Sequence, residues 1–218
     1  SVIHSIPLFR VVLIVFSYPI DKDLQIALVQ ESFAAKYADL VYDRSDYLSQ
    51  WLAWPQHCQS EQDFRLFVQR SLHDYADGKS MTCAIIYCGE IVGNCSFNSI
   101  DHSLKKAQIG YWLSQPMQGK GIITRVVNRL IEIAFQELDM EKVELSAAVE
   151  NKPSRAVAER VGMTLEGVLS NQEMINGKIP DHAIYGIHKC TIRYRCGFTD
   201  YYQWPGARGK DEKNRRKY

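Results

Sequence analysis

The chain has 218 residues, of which 46% are hydrophobic and 23% charged, and its formal net charge is +1. That length supports one domain with a substantial core and is short for two; the composition excludes a disordered chain and a globally basic nucleic-acid binder. Six cysteines (Cys58, Cys83, Cys88, Cys95, Cys190 and Cys196) show no C-x-x-C pair and no His spaced to complete a zinc site, so no metal centre is expected.

Several of these cysteines fall in apolar runs that read as strands, which suits a reducing compartment, the cytoplasm. At the N-terminal end, residues 11–16 form a compact apolar run behind Arg10. It is too short to span a bilayer and no small-residue cleavage pattern follows it, so no membrane association is expected. The run reads as a strand or as an extension outside the fold.

Residues 24–29 alternate as a first strand, and 30–41 follow as a helix. Between 43 and 55, Tyr47, Trp51 and Trp54 gather around Asp46 and end in a Trp-Pro pair. Aromatic side chains on such a loop line a substrate groove or cover a core edge, and both readings stand. Ser60 opens an amphipathic helix in which Phe64, Phe67, Val68, Ser71, Leu72 and Tyr75 recur at helical spacing, ending near Gly78. Apolar runs at 81–88 and 91–97 predict a hairpin about Gly89-Glu90, and a turn at 101–105 leads to a strand at 107–113.

After this meander, residues 118–134 join that strand to a long amphipathic helix. Gly119 and Gly121 permit a tight turn and a close backbone approach, and Thr124 is the expected cap of a helix whose first N–H groups face the loop. Such an end attracts phosphate, although an ordinary strand-to-helix turn has the same spacing. Residues 142–149 read as the next strand, which makes strand, helix and strand a parallel, right-handed βαβ unit. Asn151 caps a short helix with Pro153 in its first turn and Gly162 at its end, and 163–175 and 178–188 are expected to close the fold as strands about Asn176-Gly177. From 189 onward nine basic residues stand against three acidic ones, a net of +6 that leaves 1–188 at −5. The expected organisation is an extension (1–16), a domain (17–188) and a basic tail (189–218) that is either solvated or in contact with RNA.

Three stretches in order, Ile-Gly-Tyr-Trp-Leu at 109–113, Gln-Gly-Lys-Gly-Ile-Ile-Thr at 118–124 and the Asn-Lys-Pro-Ser run from Asn151 through Gly167, closely resemble the GNAT superfamily of acetyltransferases. More narrowly they resemble its RimJ/RimL type, which acetylates the N-terminal serine or alanine of ribosomal proteins; residues 51–55 and 181–185 fit that group too. The resemblance implies an α/β fold of the α+β type, with a mixed, mostly antiparallel central sheet, splayed strands and a central βαβ unit that holds acetyl-CoA. The family's Gln/Arg-x-x-Gly-x-Gly/Ala loop falls on Gln118, Gly121 and Ile123. An Ile at the third place keeps its backbone N–H for phosphate but must point its side chain away.

By the same resemblance Tyr111, Trp112 and Leu113 border the pantetheine, Gly119, Lys120, Ile122 and Thr124 complete the loop, and Asn151 contacts the cofactor. Ser154 would hydrogen-bond the sulfur as thiolate develops, leaving CoA as product. Glu173 would serve as base, directly or through water, and Trp51, Trp54, Glu173 and His182 would meet the acceptor. Glu159 and Arg160 are expected in surface pairs. The acceptor expected is a protein N-terminus; the alternatives are a small amine (polyamine or aminoglycoside) or a non-catalytic module docking on ribosomal RNA, and a homodimer is the expected assembly.

Overall fold

The computed structural model describes residues 16–42 and 45–190. The expected extension, all but its last residue, and the basic tail beyond Cys190, with the RNA contact expected of it, lie outside the described residues. Among the described residues the strands are β1 (Ser17–Pro19), β2 (Leu24–Leu28), β3 (Met81–Tyr87), β4 (Glu90–Asp101), β5 (Lys106–Leu113), β6 (Lys142–Ala148), β7 (Thr164–Leu169) and β8 (His182–His188). They form one mixed sheet in the order β1-β2-β3-β4-β5-β6-β8-β7, antiparallel throughout except for the parallel pair β5/β6. The helices are α1 (Ala34–Tyr42), α2 (Ser45–Leu48), α3 (Glu61–Ala76), α4 (Ile122–Gln136) and α5 (Lys152–Arg160).

Strand alternation sorts the helices between the two faces. Ile26, Cys83, Ile85, Cys95, Ile109, Leu145 and Tyr185 point to one core, shared with Val126, Leu130 and Ala134 of α4 and Ala158 of α5. Ala27, Ala84 and Ile86 point to the other, against Tyr37 and Val41 of α1 and Phe64 and Val68 of α3. The long face of α4 that sequence periodicity predicts is the buried one, as the apolar stripe of an amphipathic helix must be.

Three local expectations are corrected. The β3/β4 turn centres on Cys88 and Gly89, with φ of 51° and 82°, because a two-residue loop that follows strand twist needs positive φ at both central residues. Helix α4 is not capped by Thr124: Gly121, in the left-handed region at φ 69°, is the N-cap and supplies no side chain. The closing strands are shorter than the apolar run suggests. Asn176-Gly177 does make a tight turn, bridged by Ile175 and Lys178, but residues 170–181 form a loop before β8 begins.

The parallel pair governs the site. Its register runs from Lys106↔Lys142 to Ile109↔Leu145 and stops there. Past that point β5 stays on β4, whose partners run to Gly93↔Leu113, while β6 stays on β8 through Ala148↔His182. The two strands therefore part, and peptide groups of residues 110–113 and 146–148 border a wedge instead of a ladder.

Candidate active site

The wedge opens into a cleft of about 1960 Å³. One end is floored by the glycine loop. Gly119 and Gly121 both have positive φ, and a Cβ at either would meet no atom within 4 Å, so the backbone there is open to a ligand. The first N–H groups of α4 have no intrahelical partner and lie beside it, an arrangement that suits a pyrophosphate. Ile122 is buried in the main core and Ile123 packs partly against it, which leaves the peptide groups and not these side chains to meet an anion. Lys120 is the exception among the predicted loop residues. It does not line the cleft; its Nζ lies 3.5 Å from Met117 Sδ and 5.8 Å from the Tyr87 ring centroid.

Gln118 is tethered from above. Its side-chain amide donates to the Tyr47 hydroxyl, which ties the segment around α2 to the loop. A second tie crosses at the far side, where Asn176 Nδ2 donates to the Ser49 carbonyl at 2.8 Å. The aromatic segment thus bridges the cleft instead of merely covering a core edge, although Trp54 does both: its ring lies 5.8 Å from that of Trp112 and 6.1 Å from that of Phe64, while Trp51 and Trp54 line the cleft.

At the wedge, Asn151 accepts a hydrogen bond from the Ser154 N–H at 3.2 Å and so caps α5, with Pro153 in the first turn. The cap turns the Ser154 hydroxyl toward β5, where it shares a 2.9 Å hydrogen bond with the Tyr111 hydroxyl. Burial pushes the Tyr111 phenol up to about 12, against a smaller opposing effect of the Ser154 bond. At neutral pH the pair is therefore uncharged, two hydroxyls able to donate to a charge that develops beside them.

Glu159 and Arg160 are exposed, as expected, and each also holds a neighbouring element in place. Arg160 donates to Thr124 Oγ1 at 2.9 Å, joining α5 to the first turn of α4, and it lines the cleft. Glu159 accepts from the Tyr185 hydroxyl at 3.0 Å, and Arg155 donates to that same hydroxyl and to the Val149 carbonyl, so three side chains fix α5 over the end of β6. Their helical spacing marks an exposed face, and it is one; the partners Tyr185 and Thr124 depend on the packing of α5.

The remaining predicted residues converge. Trp112, Leu113, Asn151, Glu173 and His182 all line the cleft, Glu173 as an exposed side chain on the 170–181 loop and not on a strand edge, His182 as a buried one on β8. Sequence reasoning missed Tyr47 as a tether, Arg160, and Ser146, whose hydroxyl lies 2.9 Å from His182 Nδ1. No motif marks these three; each depends on contacts between residues far apart in the chain.

Comparison with known proteins agrees with this geometry. The ribosomal-protein-serine acetyltransferase of Escherichia coli K12 is 33% identical over 166 residues, covering 76% of this chain and 93% of that protein. A putative ribosomal N-acetyltransferase, YdaF, of Bacillus subtilis 168 is 32% identical over 175 residues, 80% of this chain and 96% of its own. Among solved structures, RimL, a ribosomal L7/L12 alpha-N-protein acetyltransferase in complex with coenzyme A, superposes with a TM-score of 0.76 at 31% identity, covering 79% of this chain and 97% of that one. The family model of the acetyltransferase (GNAT) domain matches residues 28–164, the part that carries α1 through α5, the glycine loop and the wedge, and the chain belongs to this family of N-acetyltransferases.

Proposed function

We propose that the chain transfers an acetyl group from acetyl-CoA to the N-terminal α-amino group of a ribosomal protein that begins with Ser or Ala, by direct attack in a ternary complex in the cytoplasm. The observation that carries this reading is the single cleft in which the glycine loop, the parted strands and the aromatic segment meet. Acetyl-CoA supplies an activated thioester. Residues 119–124 hold its pyrophosphate through backbone N–H groups, with Arg160 adding positive charge at that end and Arg125 already paired with Asp21. Peptide N–H groups along the parted edge of β5 polarise the carbonyl as it becomes tetrahedral. The Ser154 and Tyr111 hydroxyls stabilise the departing thiolate by hydrogen bonding.

The acceptor end supports a single ammonium over a polyamine. It presents Asp63, Asp74 and Glu173 against Arg70. Asp63 is held in the cap of α3, where its carboxylate accepts from the Ser60 hydroxyl and N–H, leaving Asp74 and Glu173 opposed by one arginine. An α-amino group, with a pKa of about 7.7 to 8.0 against about 10.4 for lysine, is free base in roughly a tenth of molecules at pH 7, a fraction hundreds of times that of lysine, and needs only a modest base. Glu173, exposed at the mouth, is the carboxylate to which the amine's proton finally passes. Two copies would pair at the edge strand β7, where Leu165, Val168 and Leu169 are each about half exposed.

Thiol release from acetyl-CoA tests the reading against Ser- and Ala-starting peptides, N-terminally blocked lysine peptides and polyamines. Turnover on the Ser and Ala peptides at a kcat/KM well above the others is expected; turnover confined to polyamines overturns the substrate assignment. Glu173→Gln is expected to lower kcat/KM for the peptide. An unchanged kcat/KM and pH–rate profile would remove Glu173 from the reaction.

A further inference from the structure

Of the polar side chains in the cleft, one is left in a costly state. His182 is 7% exposed and Ser146 holds its Nδ1 at 2.9 Å, yet its Nε2 is buried and has no hydrogen-bond partner among the described residues. A buried imidazole nitrogen without a partner is disfavoured, and such a group calls for a ligand that completes it.

Its place in the sheet says which ligand. Ile109↔Leu145 is the last parallel pair, so Ser146 is the first residue of β6 past the apex of the wedge. Leu145 and Ala147 face the core under α4 and α5; Ser146 and Ala148 face the other way, and His182, directly opposite Ala148 in an antiparallel pair, shares their face. Tyr111 and Ser154 belong to the α5 side of the sheet, whereas Trp112 belongs to the side that carries α1 and α3. The wedge is thus flanked by two hydroxyls on one face and by an imidazole on the other, and all three side chains line the same cleft. A thioester lying in the wedge has its leaving sulfur served from the first face and its carbonyl carbon open to attack from the second.

We propose that His182 Nε2 accepts the proton of the attacking amine, with Ser146 as the residue that positions it. This deepens the proposed acetyl transfer and rests on it. In the step, the amine nitrogen forms a bond to the acetyl carbonyl carbon and the carbon–sulfur bond breaks, its electron pair leaving on the thiolate. Nε2 takes the proton that the nitrogen must lose to become an amide. The imidazolium then releases that proton to the mouth of the cleft, where Glu173 is exposed, and the thiolate takes up a proton from solvent. For Nε2 to carry a lone pair, Nδ1 must hold the hydrogen and donate it to Ser146 Oγ; a serine hydroxyl accepts such a bond, and this fixes the ring's tautomer and orientation. Among the charged and titratable groups that line the same cleft from other elements are Glu173 from the loop, Tyr111 from β5, Arg160 from α5, and Asp63, Arg70 and Asp74 from α3.

The test is the pH dependence of kcat at saturating concentrations of whichever amine the wild-type enzyme accepts from the panel above, where the free amine's own ionisation drops out, compared among wild type, His182→Gln, Ser146→Ala and Glu173→Gln. His182→Gln is expected to lower kcat by about 100-fold, the usual size of a lost general base, and to abolish the acid-side limb while the Kd for CoA stays within twofold. Ser146→Ala, which frees the ring, is expected to give a smaller loss with the limb displaced, and Glu173→Gln to keep the limb. Added imidazole should partly restore His182→Ala. A His182→Gln enzyme that binds CoA normally, keeps the limb and turns over within threefold of wild type overturns the proposal. If His182→Gln loses CoA binding, Ser146→Ala decides: an unchanged profile there also overturns it. Failure of the substrate assignment shows separately, in which amine the wild type accepts.

Discussion

Ser154 shows how one side chain acquires its role through its neighbours. Asn151 takes its N–H and leaves the hydroxyl free to meet Tyr111, whose own burial keeps it a phenol. Because burial raises Tyr111 to about 12, its deprotonation contributes no limb to a rate profile below pH 10, and any limb near neutrality belongs to another group. A hydrogen bond to developing thiolate contributes about 1.5 to 3 kcal/mol. Ser154→Ala is therefore expected to reduce kcat by at least about tenfold with the KM of the acceptor unchanged, measured by steady-state thiol release. Equal loss with Tyr111→Phe and no further loss in the double variant would show that the two hydroxyls act as one unit. That Asn151 caps a helix is legible in the sequence, since Asn followed by Pro at the second position is a local signal. The Tyr111 contact is not, because it spans 43 residues and depends on where β5 leaves β6.

Among the elements, α4 and its loop border the end of the cleft proposed for the cofactor, and there the sequence was misleading in one detail. Thr124 has the chemistry of a cap, but the helix begins at Ile122 with Gly121 before it, and Thr124 instead accepts from Arg160. Glycine serves because a residue at φ 69° without a Cβ avoids the steric cost of about 1 to 2 kcal/mol that an L side chain incurs there. Gly121→Ala is accordingly expected to destabilise the free protein by about 1 kcal/mol in denaturant unfolding and, beyond that, to weaken CoA binding by crowding the phosphate approach. Loss of stability with unchanged CoA affinity would mean that the loop does not cradle the ligand. In α3 the capping box was legible: Ser60 accepts from the Asp63 N–H while Asp63 accepts from Ser60. Ser60→Ala should cost about 1 kcal/mol of stability in the same unfolding measurement. Apolar alternation located β3, β5 and the start of β4 to within a residue, though β4 runs on to Asp101, four residues past the apolar run, whereas 170–181 looked like strand because Met174, Ile175 and Ile179 continue the apolar pattern. Of these only Ile175 is buried; Met174 and Ile179 are exposed, so the pattern there reflects a loop over the cleft and not a sheet face.

At the scale of the whole molecule, the sheet divides the work between its faces. In the proposed reaction the glycine loop and α5 would serve the donor from one side, and the aromatic segment, α3 and the 170–181 loop, which line the same cleft, would shape the acceptor's approach from the other. The fold was legible through motifs in their order, since each motif is local. The cleft was legible only as a set of residue names, because its shape depends on a parallel register that ends after four pairs and on two ties, Tyr47 to Gln118 and Asn176 to Ser49, that join distant segments. In the proposed reaction those ties would hold the segment around α2 over the acceptor, and a cleft with few free carboxylates favours a chain terminus over a polyamine. Tandem mass spectrometry of the product measures the choice of acceptor most directly, using a Ser-starting peptide that also contains an internal lysine, incubated with acetyl-CoA and the intact chain. The account predicts the acetyl group on the α-nitrogen of the first residue with the lysine unmodified; acetyl on the lysine side chain, or no acetylated peptide while polyamines are consumed, would contradict it.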